Sequence, residues 1–181
     1  MKIKALVFDF FGVLHDDPQK NWLRSVDTKH HDLVAQAARR LDLGSVNYDQ
    51  YITLLSEASG HAIKRIESEF AKASVDDKMK QLLENLSATM HTYLLSNAHV
   101  NEVMPLLEKN SLTKFFKKLY ISSEIGMAKP DAEIFHHVLQ DLGLAPREVL
   151  FVDDNHHNVL SASDLGIKTV HFTSHDALVD G

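Results

Sequence analysis

Six residues of this chain are of types that could do chemistry together: Asp9, the pair Ser96–Asn97, Lys129, and the pair Asp153–Asp154. All but Lys129 end, or directly follow, a short apolar run, and Lys129 comes in the loop after the third run. Carboxylates rarely sit at the end of a buried strand for packing reasons. Taken singly, a Ser, Asn or Asp at such a turn is accounted for as a helix cap. The set is not: a lysine cannot cap a helix N-terminus, and two adjacent carboxylates repel unless a cation neutralises them. A magnesium ion, hard and octahedral with oxygen ligands, is the economical cation.

The runs that would position these groups are IKALVFD (3–9), HTYLLS (91–96), KKLYIS (117–122), EVLFVD (148–153) and KTVHF (168–172). They are near-continuous apolar segments, as expected of parallel strands covered on both faces. Ser122 and Ser123 end the third run as Asp153 and Asp154 end the fourth. Helical faces lie between: Val103, Leu106 and Leu107 after the second run, and Ile134, Phe135, Val138, Leu139 and Leu142 after the third. Pro130 suits the first turn of that helix, Gly143 its end, and Gly166 the end of the helix after the fourth run. Strand and helix in alternation predict an α/β fold with a doubly wound, five-stranded parallel sheet, a Rossmann-like arrangement whose ligands bind outside the carboxyl ends of the strands.

One interval breaks the rhythm. About 80 residues between the first and second runs carry no strand pattern, far more than a crossover needs. Helical faces fill it: Leu33, Val34, Ala37 and Leu41; Tyr48, Tyr51, Ile52 and Leu55; Ile63, Ile66 and Phe70; Met79, Leu82, Leu83 and Leu86. The expected organisation is a core of residues 1–15 and 87–181 with an all-helical insertion, 16–86, over the sheet.

Composition narrows the class. The 181 residues are 44% hydrophobic and 24% charged, ordinary for a globular chain of one domain with a subdomain. The formal charge of -6 argues against a nucleic-acid surface. The absence of cysteine excludes disulfides, thiolate zinc sites and cysteine nucleophiles. No run of 18 apolar residues suggests a membrane span, and the apolar N-terminal stretch is too short for a secretory signal. A cytoplasmic protein, monomeric or homodimeric, is expected.

The stretches VFDFFGVL, YLLSNA, GMAKPDAEIF and FVDDNHHNVLSASDLG resemble, in order, the four motifs of the haloacid dehalogenase (HAD) superfamily. The resemblance covers nearly the whole chain. It implies that Asp9 is a nucleophile, that Ser96 and Asn97 hold a phosphate, and that Lys129 neutralises nucleophile and phosphate. It puts Asp153 and Asp154 on magnesium, with Asn158 completing the motif. The backbone carbonyl of Phe11 would be a further metal ligand. The insertion resembles the family's helical C1 cap, which covers the site and selects substrate. Among subgroups the chain looks most like small sugar-phosphate phosphatases, close to those acting on glucose 1-phosphate. The reaction implied is hydrolysis of a small phosphorylated metabolite through an aspartyl phosphate, with the remaining phosphate oxygens stabilised electrostatically.

The chain departs from that pattern at Phe11. Phosphatases of the superfamily usually carry there a second aspartate, which protonates the leaving group. Three readings follow: a phosphatase in which another group supplies the proton, His15 among them; a metal-free 2-haloacid dehalogenase; or a weakly active or inactive phosphate-binding or regulatory protein. The paired Asp153–Asp154 weighs against the dehalogenase, since a leaving halide gains nothing from two uncompensated carboxylates.

Overall fold

A computed structural model describes residues 2–179, with the Val179 side chain left aside. Residues 1, 180 and 181 of the expected core lie outside the described residues. Five strands form one sheet: β1 (Ala5–Phe8), β2 (His91–Ser96), β3 (Lys118–Ile121), β4 (Val149–Asp153) and β5 (Lys168–His171). All pairings are parallel, in the order β3-β2-β1-β4-β5. The chain therefore steps outward in one direction through β2 and β3, then returns to the other side of β1 for β4 and β5. The reversal leaves a crevice between β1 and β4, the place where such sheets take ligands.

The helices are α1 (Pro18–Leu23), α2 (His31–Asp42), α3 (Tyr48–Ser59), α4 (Ile63–Phe70), α5 (Asp77–Ser87), α6 (Val100–Lys109), α7 (Ser122–Ile125), α8 (Ala132–Leu142), α9 (His156–Asp164) and α10 (His175–Val179). Leu6, Phe8 and Leu94 on one sheet face bury against Met79 and Leu83 of α5 and Val103 and Leu107 of α6. On the other face, Val7, Leu95 and Phe151 pack with Ile134, Phe135, Val138 and Leu139 of α8 and Ala162 of α9. This double cover is why the strands read as unbroken apolar runs. A third, separate core joins Trp22, Val34, Leu41, Tyr51, Leu55, Ile66 and Phe70 of α1 to α4.

Three expectations change. The fifth helix, expected in the insertion, packs on the sheet instead: Met79 and Leu83 are fully buried among sheet residues. Its i, i+4 spacing shows that it has an apolar face but not which core the face meets. Pro130 precedes α8 rather than opening it, because Asp131 is extended (φ -62°, ψ 137°) as the N-cap. The backbone there is held by the Asn97 side chain, which accepts from the Lys129 N–H at 2.9 Å and donates to the Lys129 carbonyl at 2.8 Å. Leu33 and Ile63, counted on the buried faces of α2 and α4, are 52% and 40% exposed.

Candidate active site

The two central strands deliver the first pair of carboxylates. Asp9 follows the last rung of β1, and its N–H donates to the Val152 carbonyl of β4 at 2.9 Å, which sets it beside Asp153. Lys129 reaches between them fully buried, its Nζ 2.9 Å from Asp9 Oδ1 and 2.7 Å from Asp153 Oδ2. Its third donor contact is the Leu95 carbonyl, at 2.8 Å. Burial by itself would drive the lysine toward neutrality; Asp153 and then Asp9 outweigh it and hold the ammonium above its ordinary pKa. Burial pushes the Asp9 carboxyl up, Lys129 pulls it down, and Asp153 and Asp154 add repulsion.

Asp153 is already committed. Oδ1 accepts from the Asn155 N–H at 2.7 Å, and the Asn158 amide reaches both oxygens at 3.0–3.1 Å. Asn158 thus fixes the orientation of Asp153, its place in the fourth motif explained by one contact. Asp154 lies at the outer rim, its Oδ2 2.6 Å from Lys20 Nζ of α1. Asp9, Asp153 and Asp154 each offer a carboxylate oxygen, all within 4.8 Å of one another. Three hard oxygen donors so placed form the donor set that magnesium takes. Among the described residues no backbone N–H donates to the Phe11 carbonyl: the bonds of the turn after β1 run from His15 N–H to Phe10 O and from Gly12 N–H to His15 O.

Gly12 is a position in the site that favours glycine. Its φ is +85°, and a Cβ would stand 2.4 Å from Asp154 Cγ. Ser96 ends β2 fully buried, and its Oγ has no hydrogen-bond partner among the described residues. A buried hydroxyl without a partner is rare and fits a group that awaits a ligand oxygen. Ser122 and Ser123 tie down the segment that enters α6: their Oγ atoms accept from the N–H groups of Ala98 and Val100, each at 3.0 Å.

A cavity of about 220 Å³ opens above Asp9 and Asp154. Its walls come from both bodies: Phe11, Asn97, Glu102 and Asn158 from the core, and Asp17, Gln19, Asp42, Tyr51 and Phe70 from the insertion. No lysine or arginine is among its described lining residues. Burial pushes Asp42 up to about 7 and Glu102 up to about 8, and it raises Asp17 as well. Arg39 fastens the insertion here, donating to the Lys129 carbonyl at 3.1 Å and pairing with Asp131.

The structure places His15 elsewhere. Its ring stacks on Phe10, Nδ1–H donates to the Asp16 carbonyl at 2.6 Å, and it lines a neighbouring groove that shares Asp17 and Asp154 with the cavity, whose own lining does not include His15. Sequence reasoning did not find Gln19, Asp42, Tyr51 or Glu102. Each sits on an ordinary helix, and nothing in helical spacing says that a given turn will face a cavity of the other body.

Comparison with known proteins places this geometry among relatives. A family model described as haloacid dehalogenase-like hydrolase matches residues 3–166. A D-ribitol-5-phosphate phosphatase of Bacteroides thetaiotaomicron is 29% identical over 92% of this chain and 90% of its own length. Drimenol cyclase drtB of Aspergillus calidoustus is also 29% identical over 96% of the chain, which spans only 35% of that protein. A HAD-family enzyme of B. thetaiotaomicron, solved with magnesium and inorganic phosphate, superposes with a TM-score of 0.72 at 26% identity, covering 94% of both chains.

Proposed function

The chain belongs to the haloacid dehalogenase-like hydrolases, and from that premise we propose that it hydrolyses the phosphate monoester of a small, uncharged polyhydroxy compound. The observation that carries the reaction type is the Lys129 ammonium clasped between Asp9 and Asp153, with Asp154 beside them. Asp9 supplies the nucleophilic oxygen, the Ser96 hydroxyl and the Asn97 amide meet the equatorial phosphate oxygens, and the Lys129 ammonium, its three donors on Asp9, Asp153 and the Leu95 carbonyl, contributes its charge. Asp9, Asp153, Asp154 and the Phe11 carbonyl would hold a magnesium ion, which when bound supplies charge neutralisation at the carboxylates and phosphate. The relative solved with magnesium and phosphate supports that pairing of ligands.

The leaving-group class is read from the cavity. Beyond Asp9 and Asp154, its walls carry the carboxyls of Asp17, Asp42 and Glu102, the side-chain amides of Gln19, Asn97, Asn155 and Asn158, and the Tyr51 phenol, which match hydroxyl groups as donors and acceptors. With no cation in its lining, a second anionic group on the substrate, a carboxylate or another phosphate, would be left unpaired beside Asp17, Asp42 and Glu102. The ribitol-phosphate relative supports the same class. The dehalogenase reading lacks a cation to receive a halide there.

The test is a panel of phosphate esters with magnesium and after chelation. Alditol and aldose monophosphates should exceed phosphoglycolate in kcat/KM by at least about tenfold, which is 1.4 kcal/mol of discrimination. Turnover should vanish with chelator. Undiminished turnover in chelator would remove the metal from the mechanism, preference for phosphoglycolate would overturn the substrate class, and binding without turnover would favour a phosphate-ligand binding protein.

A further inference from the structure

We propose that Asp42, carried over the site by α2, is the proton donor that Phe11 cannot be. This rests on the phosphatase reading above. Phe11 lines the cavity with a half-buried ring set edge-on to Phe10 and His15, centroids 4.9 and 5.6 Å away, and it has no proton to give. His15 faces the other groove. Asp42 lines the catalytic cavity, and its Oδ2 accepts a long hydrogen bond, 3.4 Å, from the Asn97 amide. That amide also ties the Lys129 backbone, so Asp42 stands against the phosphate-holding side of the cavity. Arg39, one turn earlier on α2, locks this placement by its bonds to the Lys129 carbonyl and Asp131.

The surroundings suit the task. Asp42 is the last residue of α2, where the negative end of the helix dipole disfavours a carboxylate. Burial is the largest influence and raises the group to about 7; Arg39, Lys129 and the Asn97 amide pull it down, and Asp17 pushes it up. Glu102 of α6 borders the same cavity, raised to about 8 by burial and then by Asp42 and Asp17. A carboxyl close to neutrality is the most effective general acid at neutral pH.

The steps balance. An Asp9 oxygen forms a bond to phosphorus as the bond from phosphorus to the leaving oxygen breaks. That oxygen takes the electron pair and the Asp42 proton and departs as the alcohol, leaving Asp42 as carboxylate. In the second half, water attacks the aspartyl phosphate and gives a proton to Asp42. The phosphorus–Asp9 bond breaks, phosphate leaves, and both carboxyls return to their starting forms.

The experiment compares wild type, Asp42→Asn and Glu102→Gln on an alditol phosphate and on p-nitrophenyl phosphate, with magnesium, across pH 5–9. A donor matters for an alkoxide and little for a nitrophenolate. Asp42→Asn should lower kcat on the alditol phosphate by about 10²–10⁴, and on the aryl ester by less than about tenfold. Wild-type kcat on the alditol phosphate should fall as pH rises through neutrality, and Asp42→Asn should lose that limb. Retained aryl activity certifies the fold of the variant. Adding Phe11→Asp to Asp42→Asn should restore part of the alditol rate. Equal losses on both esters, no loss on either, or a leaving-group-dependent loss confined to Glu102→Gln would each overturn the proposal. If the wild type cleaves neither ester, the phosphatase reading itself fails.

Discussion

Lys129 is a buried cation held charged by the two carboxylates that flank it, and its ammonium opposes, without cancelling, the burial and like-charge repulsion that raise the Asp9 carboxyl well above its ordinary value. Removing one partner of such a pair strands the other charge, so the informative substitutions here conserve shape. Asp9→Asn keeps the volume and removes the attacking charge. Turnover should fall to background while the far-ultraviolet circular dichroism spectrum is unchanged; residual turnover near wild type would contradict an aspartyl phosphate. Gly12→Ala adds one carbon where Asp154 already stands, at a φ of +85°. It should shift Asp154 and weaken magnesium binding by tenfold or more, about 1.4 kcal/mol, as read by a magnesium titration of activity. Unaltered magnesium dependence would mean that Asp154 is not a ligand.

Two elements define how the molecule closes. The insertion has its own core around Leu55, whereas α5 shares the core of the sheet through Leu83, and both side chains are fully buried. Leu→Ala at either site should cost about 2–5 kcal/mol, but in different places. Leu83→Ala should lower hydrogen-exchange protection across the sheet. Leu55→Ala should lower it in α2 to α4 and leave β1 and β4 protected; a loss spread evenly over both bodies would mean that they unfold as one. The contacts that join the two bodies include Asn97 with Asp42, Lys20 with Asp154, and Arg39 on the loop of Lys129. The Arg39 ion pair with Asp131 is part-exposed and worth at most about 1 kcal/mol, so Arg39→Ala should hardly move the melting temperature. Arg39→Ala should raise KM for alkyl and aryl esters alike, because the insertion would be held less firmly over the substrate by its remaining contacts.

At the scale of the whole molecule, the site is a store of suppressed ionisation. Asp42 at about 7 and Glu102 at about 8 lie well above ordinary carboxyl values in the folded chain. The folded state therefore binds more protons than the unfolded state between about pH 4 and 8. Stability from these two groups is fully present below the unfolded carboxyl range and is lost as pH rises through 7 and 8. The melting temperature of the metal-free protein should fall across that window, and the double variant Asp42→Asn, Glu102→Gln should flatten the decline. A double variant with an unchanged slope would place the protonation sites elsewhere.

Five near-continuous apolar runs pointed to parallel strands, and the polar groups that end them, Asp9, Ser96–Asn97 and Asp153–Asp154, together with Lys129 in the loop after the third, pointed to the carboxyl edge. A buried parallel strand imposes its composition locally, and its end is marked by the first polar residue. The helices between β1 and β2 were visible for the same reason, as apolar faces repeating without a strand. Only the tertiary structure decided that Met79 and Leu83 face the sheet, that His15 turns away from the cavity, and that Asp42 comes to lie 3.4 Å from the amide of Asn97, 55 positions along the chain. An amphipathic helix encodes that it must bury one face; the partner it buries against, and which polar residues at the rim then meet a cavity, follow from how the two bodies dock.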